Sequence, residues 1–358
     1  MNNNTTKIFP VDDAVESLTK IVTATYITTG SMSLLGNGLV IAVMMRRCRQ
    51  ASIFKILLTH LAICDIIFAL ALIVDTPNWM KKRWVYPPLF CKLIPPAQFT
   101  SSIAAEGTVV VIAIERYRGI SHPLKVQWNM RDISLALMVS WIIALASASP
   151  FVHSLRVAVV GGAKQCVEHW NDDDTKHFHA AYMYTIFTFI GNFVLPMLLL
   201  AVLYGRIIVM IRKPIDHVPC FEQLFRKRRK KDIRITRLLI FVIVAFALCV
   251  LPNHLGHFIN TKMELTSDQR HKLAYVMLIP YPFQCVLNPI IYSIVDKKFR
   301  KDAFQILQCQ REKSRRISRT MTSLFRTDSV YSKKAPHSEK VSVSSIPNRT
   351  SREEEKSF

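Results

Sequence analysis

Seven long apolar blocks constrain this chain more than any other feature. They run roughly over residues 21–45, 56–79, 93–114, 133–155, 180–211, 235–259 and 273–295. A run of about 20 mostly apolar residues crosses a bilayer as a helix. Lipid offers no partner to a bare backbone N–H or C=O, so a helix is the natural spanning form. The fourth block, ISLALMVSWIIALASASPFV, holds no charged residue. Hydrophobic residues make up 50% of the chain. A soluble protein would intersperse them with water-facing elements, and here they are concentrated instead. No internal repeat is visible, which argues against a transporter built of duplicated halves.

Basic residues set the expected orientation, because inner loops collect Lys and Arg. With the N-terminus outside, the three inner loops and their helix ends hold 19 of these residues and the three outer loops hold ten. The tail from Lys297 adds 16 more on the inner side. The net charge of +22 then faces anionic lipid rather than nucleic acid. RKRRKK at 226–231 lies between two apolar blocks and is a poor nuclear address. The segment 1–20 is polar, lacks a cleavable signal pattern, and reads as an extracellular tail. Asn3 and Asn4 each fit the N-x-[ST] glycosylation motif there. Residues 21–308 form the membrane-spanning domain, and 309–358 form a polar tail whose composition fits disorder.

There are eight cysteines. In this topology only Cys91 and Cys166 face the oxidising side, where disulfides persist. One bridge is then available, with two free thiols as the alternative.

Ordered along these blocks are Gly36-Asn37, Leu61-Ala62-x-x-Asp65, Cys91, Glu115-Arg116-Tyr117, Trp141, Pro196 with Tyr204, Phe246-x-x-Cys249-x-x-Pro252, and Asn288-Pro289-Ile290-Ile291-Tyr292 followed by Phe299. Over about residues 20–308 the chain resembles the rhodopsin-like G-protein-coupled receptors, in their peptide-receptor-like branch. The resemblance implies an all-α membrane fold, a seven-transmembrane helix bundle with a short amphipathic eighth helix at the plasma membrane. It also implies that the chain is not itself an enzyme.

The resemblance assigns roles residue by residue. Arg116 pairs with Glu115 at rest, beside Tyr117, and turns to the G protein on activation; a plain helix-end charge pair is the alternative. Tyr204 and Tyr292 reach toward Arg116 once the sixth helix swings about its proline hinge. Pro196, Pro252 and Pro289 each remove a helical hydrogen bond and can kink their helices. Asp65 matches a sodium-binding position coupled to Asn288 and Asn37, with Ser101 as a second ligand. A proton could replace the ion, because Ala105 stands where relatives often have serine. Relatives usually carry Trp where this chain has Val250. Phe246 then carries more of the coupling, or basal signalling is altered. Glu106 reads as a protonated structural acid in the third helix or as a partner for a polar group on the fifth, and Gly107 beside it leaves room for close packing.

The same family pattern narrows the ligand. The seventh helix has Pro282 where an opsin needs its lysine, and Gln98 stands where an amine receptor needs an aspartate. Gln98, Asp75 and the acidic run Asp172, Asp173 and Asp174 suit a basic or amidated neuropeptide. AVVGGAKQCVEHW reads as a hairpin over the pocket. Leu124 would contact the G protein. Ser318, Thr320, Thr322 and Ser323 would take phosphate from receptor kinases and recruit arrestin, and Cys309 would take palmitate or stay free. No metal or other cofactor is expected. The rival readings are a receptor for a lipid or other small molecule and, further off, a transporter.

Overall fold

The structure is a computed structural model that describes residues 13–46, 53–122, 128–212, 222–263, 266, 269, 273, 277–295, 297 and 299–308. Its first helix is Asp13–Arg46, the second Ile53–Lys81, the third Ile94–Ser121 and the fourth Met130–Ser154. The fifth runs Asp174–Phe189, passes through a π-turn at Ile190–Val194, and continues as Leu195–Arg212. The sixth is Glu222–Lys262. A single 3₁₀ turn, Tyr281–Phe283, leads into the seventh, Gln284–Val295. Among the described residues six helices are long and apolar enough to cross a membrane. The start of the seventh apolar block lies partly outside those residues.

Several helices outrun their apolar blocks. The first begins at residue 13 rather than 21, the fifth at 174 rather than 180, and the sixth at 222 rather than 235. Glu, Gln, Lys and Arg are good helix formers, and extending a nucleated helix is cheap. The bilayer limits the apolar stretch and not the helix. Local sequence fixes some starts. Asn129 and Asp132 form a reciprocal capping box on the fourth helix. Asp173 accepts from Lys176 N at 3.0 Å and caps the fifth.

The helices close into a ring. The first packs on the second and seventh, the seventh on the sixth, the sixth on the fifth, and the third on the second, fourth and fifth. The third is therefore the central post. Ile112, Ala104, Leu57, Leu200, Ile207 and Leu239 are fully or almost fully buried around it. Large apolar side chains also point outward: Leu35, Leu248 and Val209 are each at least 60% exposed. In a bilayer that outer surface meets lipid, so its exposure carries no penalty. At Gly107 a Cβ would lie 2.0 Å from Ser140 Oγ, so the third and fourth helices approach through the missing side chain.

The hairpin read from AVVGGAKQCVEHW is present as two antiparallel strands beside the helices. β1 (Leu155–Val160) pairs with β2 (Ala163–Glu168). Gly161 and Gly162 turn it with φ of 58° and 81°, the left-handed values a two-residue type I′ turn requires. Cys166 in β2 is bonded to Cys91, with Cα atoms 5.6 Å apart. This disulfide ties the hairpin to the start of the third helix.

Pro289 explains a buried polar cluster. A helical proline lacks the N–H that would bond the carbonyl four residues earlier, here Cys285 O. Asn37 Nδ2 donates to that oxygen at 2.8 Å and Ser33 Oγ at 3.1 Å. The first helix thus supplies what the seventh has lost. Residues 299–308 are helical. Phe299 is buried, its ring 6.3 Å from Tyr292. Arg300 Nη1 donates to Ser293 O at 2.9 Å and Ile294 O at 2.5 Å, capping the end of the seventh helix. The chain divides into units Met1–Ile306 and Leu307–Phe358, and residues 309–358 of the second lie outside the described residues.

Candidate ligand pocket and transduction core

At the hairpin end, Asp75 sits in the last two turns of the second helix. Asn78 Nδ2 donates to its Oδ1 and Trp79 Nε1 to its Oδ2, both at 2.9 Å. The spacings of three and four residues place these donors on the same helical face. The Gln98 amide, from the third helix, lies near enough to act on the same carboxylate. Two residues singled out as ligand contacts therefore meet, and each is half-buried. The acidic run behaves unevenly. Asp172 is 96% exposed, 2.9 Å from His169 Nε2 and 4.0 Å from Arg156 Nη1. Asp173 is occupied as the helix cap, and Asp174 stands in the first turn, where a negative charge suits the helix dipole.

Sequence reasoning missed the aromatic wall of this end. Trp170 stands 4.8 Å from Tyr184, Tyr184 6.4 Å from Phe151, and Phe151 5.9 Å from Phe99 (ring centroids). Deeper, His254 packs against Phe189 and Phe193 at 5.8 and 5.4 Å. These residues come from five elements, and no single stretch of sequence betrays their meeting.

In the middle of the bundle, Asn288 Nδ2 donates to Asp65 Oδ2 at 2.8 Å. The pair lines a small cavity together with Ser101, Ser102, Phe246 and Gln284. Ser102 Oγ donates to Gln284 Oε1 at 3.0 Å, linking the third helix to the seventh. Ser101 Oγ donates within its own helix, to Ala97 O at 2.6 Å and Gln98 O at 3.1 Å, which leaves its lone pairs free. Asn37 departs from expectation. Its amide serves Cys285 O and Ser33 rather than Asp65, because Pro289 has left that carbonyl in greater need. For a small monovalent cation this cavity offers the Asp65 carboxylate and the Ser101 oxygen, while Asn288 presents its NH₂ side. Val250 is 5% exposed. A second network also went unread: Trp141 Nε1 donates to His60 Nε2 at 2.8 Å, and His60 Nδ1 lies 2.9 Å from Thr108 Oγ1.

At the opposite end, Arg116 Nε lies 2.8 Å from Glu115 Oε2. The two atoms are close enough to pair as charges but are misaligned for a hydrogen bond. The Arg116 guanidinium also covers the Phe54 ring at 4.8 Å. Tyr117, next in sequence, is half-buried. Tyr204 and Tyr292 are 5% and 4% exposed. Their hydroxyls find no hydrogen-bond partner among the described residues. Pro252 lies inside the sixth helix and Pro289 inside the seventh. Leu124, Asn3, Asn4, Cys309, Ser318, Thr320, Thr322 and Ser323 fall outside the described residues.

The polar groups of this bundle sit in three tiers along one axis, an arrangement suited to relaying a change from one face of a membrane to the other. That is the architecture of a seven-helix membrane receptor. The chain matches the 7 transmembrane receptor (rhodopsin family) over residues 36–292, more than half its length, and it belongs to that family. It is a multi-pass G-protein-coupled receptor and not an enzyme. Among its relatives is a QRFP-like peptide receptor of Branchiostoma floridae, 27% identical over 299 residues, 80% of this chain and 77% of the relative. Galanin receptor 2a of Danio rerio is 26% identical over 288 residues, 76% and 74% of the two chains. Somatostatin receptor type 3 of Rattus norvegicus is 26% identical over 300 residues, 80% and 68%.

Proposed function

We propose that this receptor senses a basic or amidated neuropeptide at the hairpin end and activates a heterotrimeric G protein at the Arg116 end. The Asp75 carboxylate carries the reading. It sits at the hairpin end, held by Asn78 and Trp79 of its own helix, with Gln98 of the third helix beside it. A cationic side chain or a terminal amide would take the remaining acceptor capacity. Peptide receptors among the relatives support the ligand class. Asp172 adds exposed negative charge near the entrance, which attracts a positive ligand.

The hairpin end faces outside the cell in this reading and the N-terminus lies there too, in the plasma membrane. Asn3 and Asn4 would then be open to glycosylation. On activation Arg116 leaves Glu115 and, with Leu124, meets the G protein. Arrestin and receptor kinases act on the tail. The basic inner loops lie against anionic lipid. Asp65 would hold a sodium ion or a proton, with Ser101 as a second oxygen, and either charge would neutralise the carboxylate.

The test is second-messenger output, cAMP and calcium together, in cells expressing the chain and exposed to amidated basic peptides. Asp75→Asn should lower the potency of an active peptide by roughly 10–100-fold, the value of a hydrogen bond to a charged group. Gln98→Ala should cost less. Equal potency on Asp75→Asn, or a response to lipids alone, would overturn the peptide reading.

A further inference from the structure

We propose that the outer groove between the third, fourth and fifth helices binds a rigid, membrane-dissolved apolar molecule of sterol size that carries one hydroxyl group. The groove has a volume of about 650 Å³, inside the roughly 300–1,000 Å³ typical of small-molecule sites. Along the fourth helix it runs from Asp132 to Ile143, about 16 Å at the helical rise. Its rim is lipid-facing: Val139, Ile143, Leu195 and Leu199 are 43–57% exposed. A ligand would enter from the bilayer and not from water.

The floor is what makes this a site. Glu106 and Asn192 line the groove and are only 5% and 7% exposed. Glu106 Oε1 and Asn192 Nδ2 have no hydrogen-bond partner among the described residues. Polar atoms left bare against hydrocarbon are costly. A hydroxyl suits either atom, since it can donate to a carboxyl oxygen or accept from an amide N–H.

The surroundings fix the amide. Ser147 Oγ donates to Asn192 Oδ1 at 3.2 Å, and Tyr184 OH donates to Ser147 O at 2.9 Å. The carbonyl side is therefore engaged, and the NH₂ side is left over. Asn192 stands in the π-turn, where Leu195 N reaches back five residues to Ile190 O. Such turns occur often at functional sites. Neighbouring Gly191 has nothing within 4 Å of where its Cβ would be, which keeps that end of the groove open. A rigid ring system is favoured over an acyl chain because an open-sided groove gives limited contact, and each frozen rotor subtracts from it. An occupant would bridge the third helix to the fifth beside Pro196, so it would bias signalling without competing at the hairpin end.

The test uses the full chain in sterol-free lipid nanodiscs with a photoreactive diazirine analogue of cholesterol, and peptide mass spectrometry to map the adducts. Adducts should concentrate on Leu135–Ile143 and Gly191–Leu199. Excess cholesterol should displace them, whereas cholestene, the same ring system without the hydroxyl, should not. Glu106→Leu should cut labelling about fivefold, the loss of one hydrogen bond. Val139→Trp, a change on the exposed rim that spares the buried core, should block labelling by filling the groove. Even labelling around all helices, equal displacement by cholestene, or indifference to both variants would overturn the proposal. Adducts replaced by crosslinks between two receptor copies would also overturn it, by making the groove a protein interface.

Discussion

Tyr204 and Tyr292 each bury a hydroxyl that bonds nothing among the described residues. An unsatisfied buried hydroxyl costs about 1–3 kcal/mol, so the conformation described holds these groups at a disadvantage. In a state that gives them partners the same groups would be stabilising. Tyr204→Phe and Tyr292→Phe should therefore leave resting thermal stability within about 0.5 kcal/mol or raise it. Agonist-stimulated signalling should fall several-fold, and a thermal-shift assay beside a signalling assay reads both. Asn37→Leu should act in the opposite sense. It strips Cys285 O of its closest partner and should lower thermal stability by about 1–3 kcal/mol. Glu115→Gln removes the charge beside Arg116 and should raise ligand-independent signalling; unchanged basal output at equal surface expression would count the pair as a helix-end contact only. Motif spacing found Asp65, Asn288, Glu115 and Arg116, because each falls within a short local pattern. It misplaced Asn37, whose role depends on a carbonyl freed by Pro289 about 250 residues away. It also missed His60, which needs Trp141 and Thr108 from two other helices before it means anything.

Among the elements, the hairpin depends on the bridge between Cys91 and Cys166, which spans 75 residues of sequence. Closing a loop of that size contributes about 4 kcal/mol by restricting the unfolded chain. Replacing both cysteines with serine should lower the melting temperature and cut surface expression, which flow cytometry measures. The fourth helix is held differently. It meets the third where Gly107 has no side chain and Ser140 Oγ fills the space. Gly107→Val should push the two helices apart and destabilise the fold by about 1–3 kcal/mol, the usual cost of overpacking. Helix number and type were legible because lipid forces both. Helix ends were less so, since hydropathy ends at the membrane while hydrogen bonding continues into water. The acidic run shows the same limit. Read as a ligand lure, it is at Asp173 a cap on the fifth helix, and an Asp ahead of a long apolar run was the available signal.

At the scale of the molecule, the third helix touches three neighbours directly and reaches the seventh through Ser102 and Gln284. Tilting it would move both the Gln98 tier and the Arg116 tier, so in the proposed function ligand and effector would share one rigid post. The π-turn in the fifth helix was not legible in the sequence, because one extra residue leaves an apolar profile unchanged. That extra residue acts as a phase shift. An α-helix advances about 100° per residue, so the part of the fifth helix before Ile190 is rotated by that much relative to an unbroken continuation of the part after Val194. The hairpin-side half of the fifth helix is in this sense indexed separately from the half that follows Pro196. Deleting Gly191 would restore a single phase and swing Tyr184 and Tyr182 to new bearings, while Tyr204 and Ile207 stayed where they are. The two ends of this receptor can thus be re-aimed one at a time.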